Sequence, residues 1–332
     1  MPLPIYQHPS LTILIDDSAN FLRSLSFQLD PALPRKGFNN PKLALEWLRE
    51  QSARPPQPSQ LLCDNVDAYP RLSQQRAVSI NLEQICQISH RQERFMTPSV
   101  LVVDYSMPGM NGIEFCEALH DSRYKIILLT GTADDRIAVA AFNRGLIHRY
   151  IPKSDDSALE RLGIEICALQ RSFFEAQSDR VQGLMALNDF SFVTDPAIDS
   201  LFREISARYN IVEHYLYTEP AGILLYDKHA LPRLLVIATE QTMDSHYEVA
   251  VDNGAPASLL DALRERRIVP YFGDGDGMYS PTIGNAWHKH TRPAQVCCGS
   301  EKFYWALFEQ VVSPVLSATP SFQDFMSNHL ND

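Results

Sequence analysis

Positive charge is scarce in this chain. Across 332 residues it carries 29 Lys and Arg against 40 Asp and Glu, a net charge of −11. A nucleic-acid binder needs a basic footprint to displace counterions from phosphates, so this balance disfavours one. Long apolar runs are missing too. No stretch approaches the roughly 18–20 residues of a membrane span. The opening MPLPIYQHPS has neither the basic nor the apolar segment of a secretory signal. Only six Cys occur, at irregular spacing, which argues against a disulfide framework and for reduced thiols in a cytosol. The expectation is a soluble, cytoplasmic, acidic protein without membrane association. At 45% hydrophobic and 332 residues it is long enough for two domains with substantial cores.

What is present begins with VLVVDYSMPGMNG, Val100 to Gly112. An apolar run delivers Asp104 to the point where a strand gives way to a Pro/Gly loop. A carboxylate at the C-terminal end of a strand faces solvent from a rigid base, a place where open α/β sheets do chemistry. Three other strand ends carry polar groups: Asp16-Asp17 after LTILI, Thr130 after IILL, and Lys153 after RYIP. Strands are predicted at 11–15, 34–38, 100–103, 125–129 and 147–151, with helices at 19–29, 41–49, 112–120 and 134–143 between them. That alternation implies a doubly wound parallel sheet covered on both faces. Residues 51–97, opened by QSARPPQP, form an insertion, read either as a partner-docking element or lid beside the site or as a surface excursion. A long helix then starts near Asp156 and runs to about Arg180. Its stripe of Leu159, Leu162, Ile166, Leu169, Phe173 and Ala176 either docks on its own sheet or forms a dimer or inter-domain seam.

Asp16, Asp17 and Asp104 at neighbouring strand ends repel one another unless a cation lies among them. Hard oxygen ligands completed by waters suit Mg²⁺. The ion also neutralises a phosphoryl group arriving at an Asp104 oxygen, which makes that carboxylate the nucleophile. Lys153 supplies a compact positive charge to the phosphoryl oxygens, the Thr130 hydroxyl a hydrogen bond, and Gly131 leaves room for the donor.

The order and spacing of these residues resemble the receiver domain of bacterial two-component response regulators, the CheY-like, flavodoxin-like fold, over about residues 10–170. The run Met107 to Gly112 matches that family's loop after its phosphorylated Asp. The resemblance implies that Asp16 and Asp17 hold Mg²⁺ together with Asp104 and the Ser106 backbone carbonyl, and that Asp104 is the phosphoacceptor. It further implies that Thr130 and Lys153 read the phosphoryl group and that Tyr150 is the aromatic switch. A cognate histidine kinase or phosphotransfer protein is the implied partner, and phosphorylation-dependent homodimerisation the implied response. Three departures stand out. Pro152 precedes Lys153 where the family has Lys followed by Pro, the insertion roughly doubles the Asp17-to-Asp104 separation, and Ser106 and Thr132 supply no strong base for hydrolysis. The last predicts a long-lived phosphoryl group.

Residues 1–155 are thus read as the receiver, 156–185 as a helical linker, and 186–332 as a second α/β or α+β output domain. Helices are predicted at 195–209, 244–253, 257–267 and 301–316, and strands at 221–225, 234–238 and 268–272. From Val181 onward there are 10 basic and 19 acidic residues, a net of −9, and no helix-turn-helix, GGDEF, EAL, HD or Walker A signature. Arg264 to Arg267 complement a helix C-terminus. His288, His290, Cys297 and Cys298 fit no common zinc spacing, Asp274 to Gly277 lacks the Gly and Glu of a calcium loop, and Phe303, Tyr304, Trp305 and Phe308 read as core. The receiver's later half and this output resemble a group of proteobacterial response regulators, of the Legionella quorum-sensing kind, whose output does not bind DNA. The first reading is an output that binds a protein or small ligand. The alternative is a receiver-regulated enzyme acting on a nucleotide or other small molecule. A DNA-binding output is least favoured by charge.

Overall fold

The computed structural model describes residues 3–52, 62–64, 78–80, 83–119, 123–131, 135–185, 190–273, 277–309, 311 and 319–329. In chain order, β1 (Tyr6–Gln7) leads into β2 (Leu11–Ile15), α1 (Ala19–Gln28), β3 (Arg35–Phe38) and α2 (Pro41–Ser52), then the paired strands β4 (Leu62–Asp64) and β5 (Val78–Ile80) and α3 (Glu83–Ile88). Next are β6 (Pro98–Asp104), α4 (Gly112–Leu119), β7 (Lys125–Thr130), α5 (Asp135–Asn143), β8 (Arg149–Pro152) and the long α6 (Ala158–Met185). Beyond them come α7 (Pro196–Tyr209), β9 (Ile211–Tyr217), β10 (Gly222–Asp227), β11 (Pro232–Ala238), α8 (Glu240–Asp252), α9 (Ala257–Arg264), β12 (Ile268–Pro270), β13 (Thr291–Pro293), β14 (Gln295–Cys298), β15 (Lys302–Phe308) and α10 (Phe322–His329).

These elements form two compact units that do not follow linear order. One comprises His8–Gln57, Gln92–Ala176 and Phe325–Asp332; the other comprises Met1–Gln7, Pro58–Arg91 and Gln177–Asp324. The first holds the expected five-stranded parallel sheet, ordered β3-β2-β6-β7-β8. Its inner strands β2, β6 and β7 are largely apolar and buried along nearly their whole length because both faces are covered. Ile13, Ile15, Leu101, Val103 and Leu128 meet Phe115 and Leu45 on one face. Leu14, Val100, Val102, Ile127 and Leu129 meet Leu22, Leu25, Leu162, Ile166 and Leu169 on the other. The stripe of α6 therefore docks on its own sheet through Leu162, Ile166 and Leu169, while Leu159 and Ala176 are exposed.

The second unit is built on an antiparallel sheet ordered β1-β9-β10-β11-β15-β14. Asp195 caps α7 by accepting from the Ala197 N–H, with Pro196 in the first turn. Asp227 turns β10 into β11 by accepting from the His229 and Leu231 N–H groups. The helix expected at 301–316 is a strand where it is described: Lys302–Phe308 runs between β11 and β14 and buries Phe303, Tyr304, Ala306 and Phe308. Aromatic residues suit a pleated, buried surface, and pairing with β11 and β14 places them on one here. Residues 312–318 lie outside the described part. Strand β9 was not anticipated, because its polar Glu213 and His214 broke the apolar pattern although both are buried. Of the insertion, β4, β5 and α3 belong to this unit, whereas residues 51–52 and 92–97 belong to the parallel-sheet unit. Helix α3 buries Ile85 and Ile88, and Cys86 Sγ donates to the Leu216 carbonyl of β9 at 3.1 Å.

Burial leaves a pH signature here. His246 on α8 is 3% exposed, its Nδ1 has no partner, and desolvation pulls its pKa from 6.5 down to about 4. The unfolded chain thus binds this proton more readily than the folded one. Stability is full above pH 6.5 and falls as the pH drops toward 4, by about 2 kcal/mol between pH 7 and pH 5. Urea midpoints of the native chain should show this loss, and His246→Leu should flatten it.

Candidate functional site

The carboxyl ends of the parallel strands converge on one acidic cluster. Asp16 and Asp17 follow β2, and Asp104 ends β6; oxygens of all three lie within 4.8 Å of one another. Asp16 and Asp104 are each 4% exposed, and Asp17 faces solvent. The Ser18 N–H donates to Asp16 Oδ1 at 2.9 Å and the Ser106 N–H to Asp104 Oδ2 at 3.1 Å, so adjacent backbone fixes both buried side chains. Gly112 begins α4 directly behind the site. A Cβ there would stand 2.5 Å from the Asp104 carbonyl oxygen, which no side chain tolerates.

Lys153 reaches into this cluster from the end of β8. Its Nζ stands 2.6 Å from Asp16 Oδ2 and 2.9 Å from Asp104 Oδ1. The preceding Pro152 does not misdirect it. Pro152 pairs with Thr130 in the sheet, and the Lys153 N–H donates to the Thr130 carbonyl at 2.7 Å. Burial holds the Asp104 carboxyl above its ordinary pKa, the Asp16 charge adds to this, and the Lys153 and Ser106 donors act against it. Burial pulls the Lys153 ammonium down, but the hydrogen bonds and charges of Asp16 and Asp104 outweigh it and hold the pKa up. Three hard carboxylates this close form a donor set that suits Mg²⁺, and the single ammonium charge, shared between Asp16 and Asp104, offsets one of their negative charges.

Residues 74–162 match the response regulator receiver domain. The solved structure of the Legionella pneumophila response regulator LqsR superposes with a TM-score of 0.80 at 30% identity, over 98% of this chain and 96% of that one. The chain belongs to the response regulators. A receiver domain protein from Clostridium thermocellum aligns at 16% identity over 53% of this response regulator and 98% of its own length, with a TM-score of 0.31. No curated protein matches it. The receiver match includes Asp104, Thr130, Tyr150 and Lys153 but begins after Asp16 and Asp17, which the sheet topology brings to the same place.

Thr130 is buried at the end of β7, and half-buried Tyr150 sits opposite Leu128 on β8. The two share a small cleft with Tyr105, Ile137 and Ala138, so the side chains read as transducer and switch are already neighbours in this response regulator. Ser106 is exposed, and Thr132 lies outside the described residues. Among the described residues, no group able to hold a metal includes His288, His290, Cys297 or Cys298; Asp274 to Asp276 are not described. The basic cluster ending α9 is spent on ion pairs: Arg264 with Asp261, Arg266 with Glu240 and Asp244, Arg267 with Glu265. Sequence reading missed Phe21, whose ring lies against Lys153. Its only signal was an apolar residue four positions after Asp17.

Proposed function

We propose that this response regulator accepts a phosphoryl group on Asp104 from a histidine kinase or phosphotransfer protein, with Mg²⁺ held by Asp16, Asp17, Asp104 and the Ser106 backbone carbonyl. The observation that carries the reading is the Lys153 ammonium seated between two buried carboxylates at the carboxyl edge of a parallel sheet. An Asp104 oxygen forms the new bond to phosphorus, the donor's P–O or P–N bond breaks, and the leaving group departs with its electron pair. Bound Mg²⁺ supplies the positive charge that offsets the phosphoryl oxygens. Lys153 exchanges its Asp16 contact for a phosphoryl oxygen, and the Thr130 hydroxyl donates to another. Tyr150 then turns into the cleft beside Thr130, changing the α5–β8 surface. The exposed Val139 and Phe142 of α5 suit that surface to a homodimer of the phosphorylated chain. The second unit serves as output, binding a protein or small ligand in the cytoplasm.

The test uses the full chain with acetyl phosphate as donor. Labelling is expected in millimolar Mg²⁺ and is expected to vanish in EDTA. Absence of label in Mg²⁺, or equal label in EDTA, overturns the reading.

A further inference from the structure

Lys153 has a third neighbour besides its two carboxylates. Its Nζ lies 4.0 Å from the centroid of the Phe21 ring, within range of a cation–π attraction. The ring's placement is tied to the site itself. The Ser18 N–H donates to Asp16 Oδ1, the Ser18 hydroxyl accepts from the Phe21 N–H at 3.2 Å, and that cap starts α1 so that Phe21 faces the end of β8. One acidic residue thus positions both the ammonium and the ring that backs it. The ring is one wall of a groove of about 180 Å³, lined also by Ser24, Leu25, Leu129, Leu159 and Leu162. The Lys153 side chain is 23% exposed and forms part of the same wall.

We infer that Phe21 is the positioning residue for Lys153, holding the ammonium at the phosphoryl site once it leaves Asp16. This rests on the reading of Asp104 as phosphoacceptor. While Lys153 bridges Asp16 and Asp104, two hydrogen bonds suffice to place it. Phosphoryl transfer requires it to give up the Asp16 bond, and its alternatives are then the phosphoryl oxygen or the water-accessible groove. The aromatic face offers the ammonium an attraction on the site side that water in the groove does not supply. An aliphatic side chain of similar bulk fills the same place but does not attract. The ring therefore acts chiefly in the phosphorylated arrangement, when the competing carboxylate contact is gone.

The test compares native chain, Phe21→Leu and Phe21→Tyr with acetyl phosphate at saturating Mg²⁺. Phe21→Leu should slow labelling by about 3- to 30-fold, the range a partly desolvated cation–π contact spans, and Phe21→Tyr should restore most of the rate. Mg²⁺ affinity by calorimetry and the melting temperature should stay close to native in both. The Lys153 ε-methylene proton resonances, shifted upfield by the ring in the native chain, should move downfield in Phe21→Leu and return in Phe21→Tyr. Unchanged labelling in Phe21→Leu overturns the inference, as does slow labelling that Phe21→Tyr fails to rescue. If the native chain takes no label, the reading of Asp104 fails instead, and the Lys153 resonances still report whether the ring contact exists.

Discussion

Asp104→Asn is expected to reduce phosphoryl labelling by well over about 100-fold, since the nucleophilic oxygen is what the substitution removes. Asn keeps the shape of the side chain and one carbonyl oxygen. That oxygen still accepts from the Ser106 N–H, which holds Asp104 Oδ2 in the native chain. The Lys153–Asp16 pair at 2.6 Å remains. One of three crowded negative charges disappears, so the folded state gives up as much repulsion as attraction. The variant is therefore expected to melt within a few degrees of the native chain. Phosphate-affinity gels and a thermal melt of the same samples separate a lost nucleophile from a lost fold. Label persisting on the variant would mean another carboxylate is the acceptor and would remove the basis of the proposed function.

A fragment spanning 186–332, the output as linear sequence suggests it, is expected not to fold. Strand β1 and helix α3 belong to the same compact unit although they lie far upstream. The Leu216 N–H donates to the Ile5 carbonyl at 2.8 Å, the Leu3 N–H to Val193 at 3.0 Å, and Cys86 Sγ to Leu216. His214 Nε2 meets the Pro4 carbonyl oxygen at 2.9 Å, and the Ile5 N–H donates to Ser178 Oγ on α6, outside the fragment. Leu3, Ile5, Tyr6, Ile85 and Ile88 are all buried. At about 1.5–3 kcal/mol each, their loss removes roughly 8–15 kcal/mol, as much as the whole stability of an ordinary domain, about 5–15 kcal/mol. Circular dichroism and urea unfolding should show no cooperative transition for the fragment. A cooperative transition like that of the full chain would show that β1 and α3 are dispensable.

The acidic site was legible because a parallel sheet writes it locally. Each apolar run ends at its chemistry, so Asp16, Asp104, Thr130 and Lys153 announce themselves without knowledge of the pairing. The second unit offers no such shortcut. Strand β1 is two residues long and is defined only by Tyr6 and Gln7 pairing with Tyr215 and His214. The aromatics of Lys302–Phe308 satisfy both a helical and an extended pattern, and only neighbouring β11 and β14 decide between them. Phe21 was hidden for a related reason: the partner that gives its ring a role comes from the far end of the sheet. Distant pairing of this kind leaves little trace in spacing or composition.

The places where the chain leaves the parallel-sheet unit have a mechanical consequence. The unit boundaries fall at Gln7/His8, Gln57/Pro58, Arg91/Gln92, Ala176/Gln177 and Asp324/Phe325, and β2 and β6 begin at one edge of the sheet soon after two of these. Asp104 stands at the other edge. From Ala158 to Ala176, α6 covers about 27 Å at 1.5 Å per residue, several times the roughly 8 Å over which salt lets a charge be felt. A phosphate on Asp104 would be felt only weakly as a field at the far end of that helix. Along α6 itself, a shift of the helix would reach further than that field.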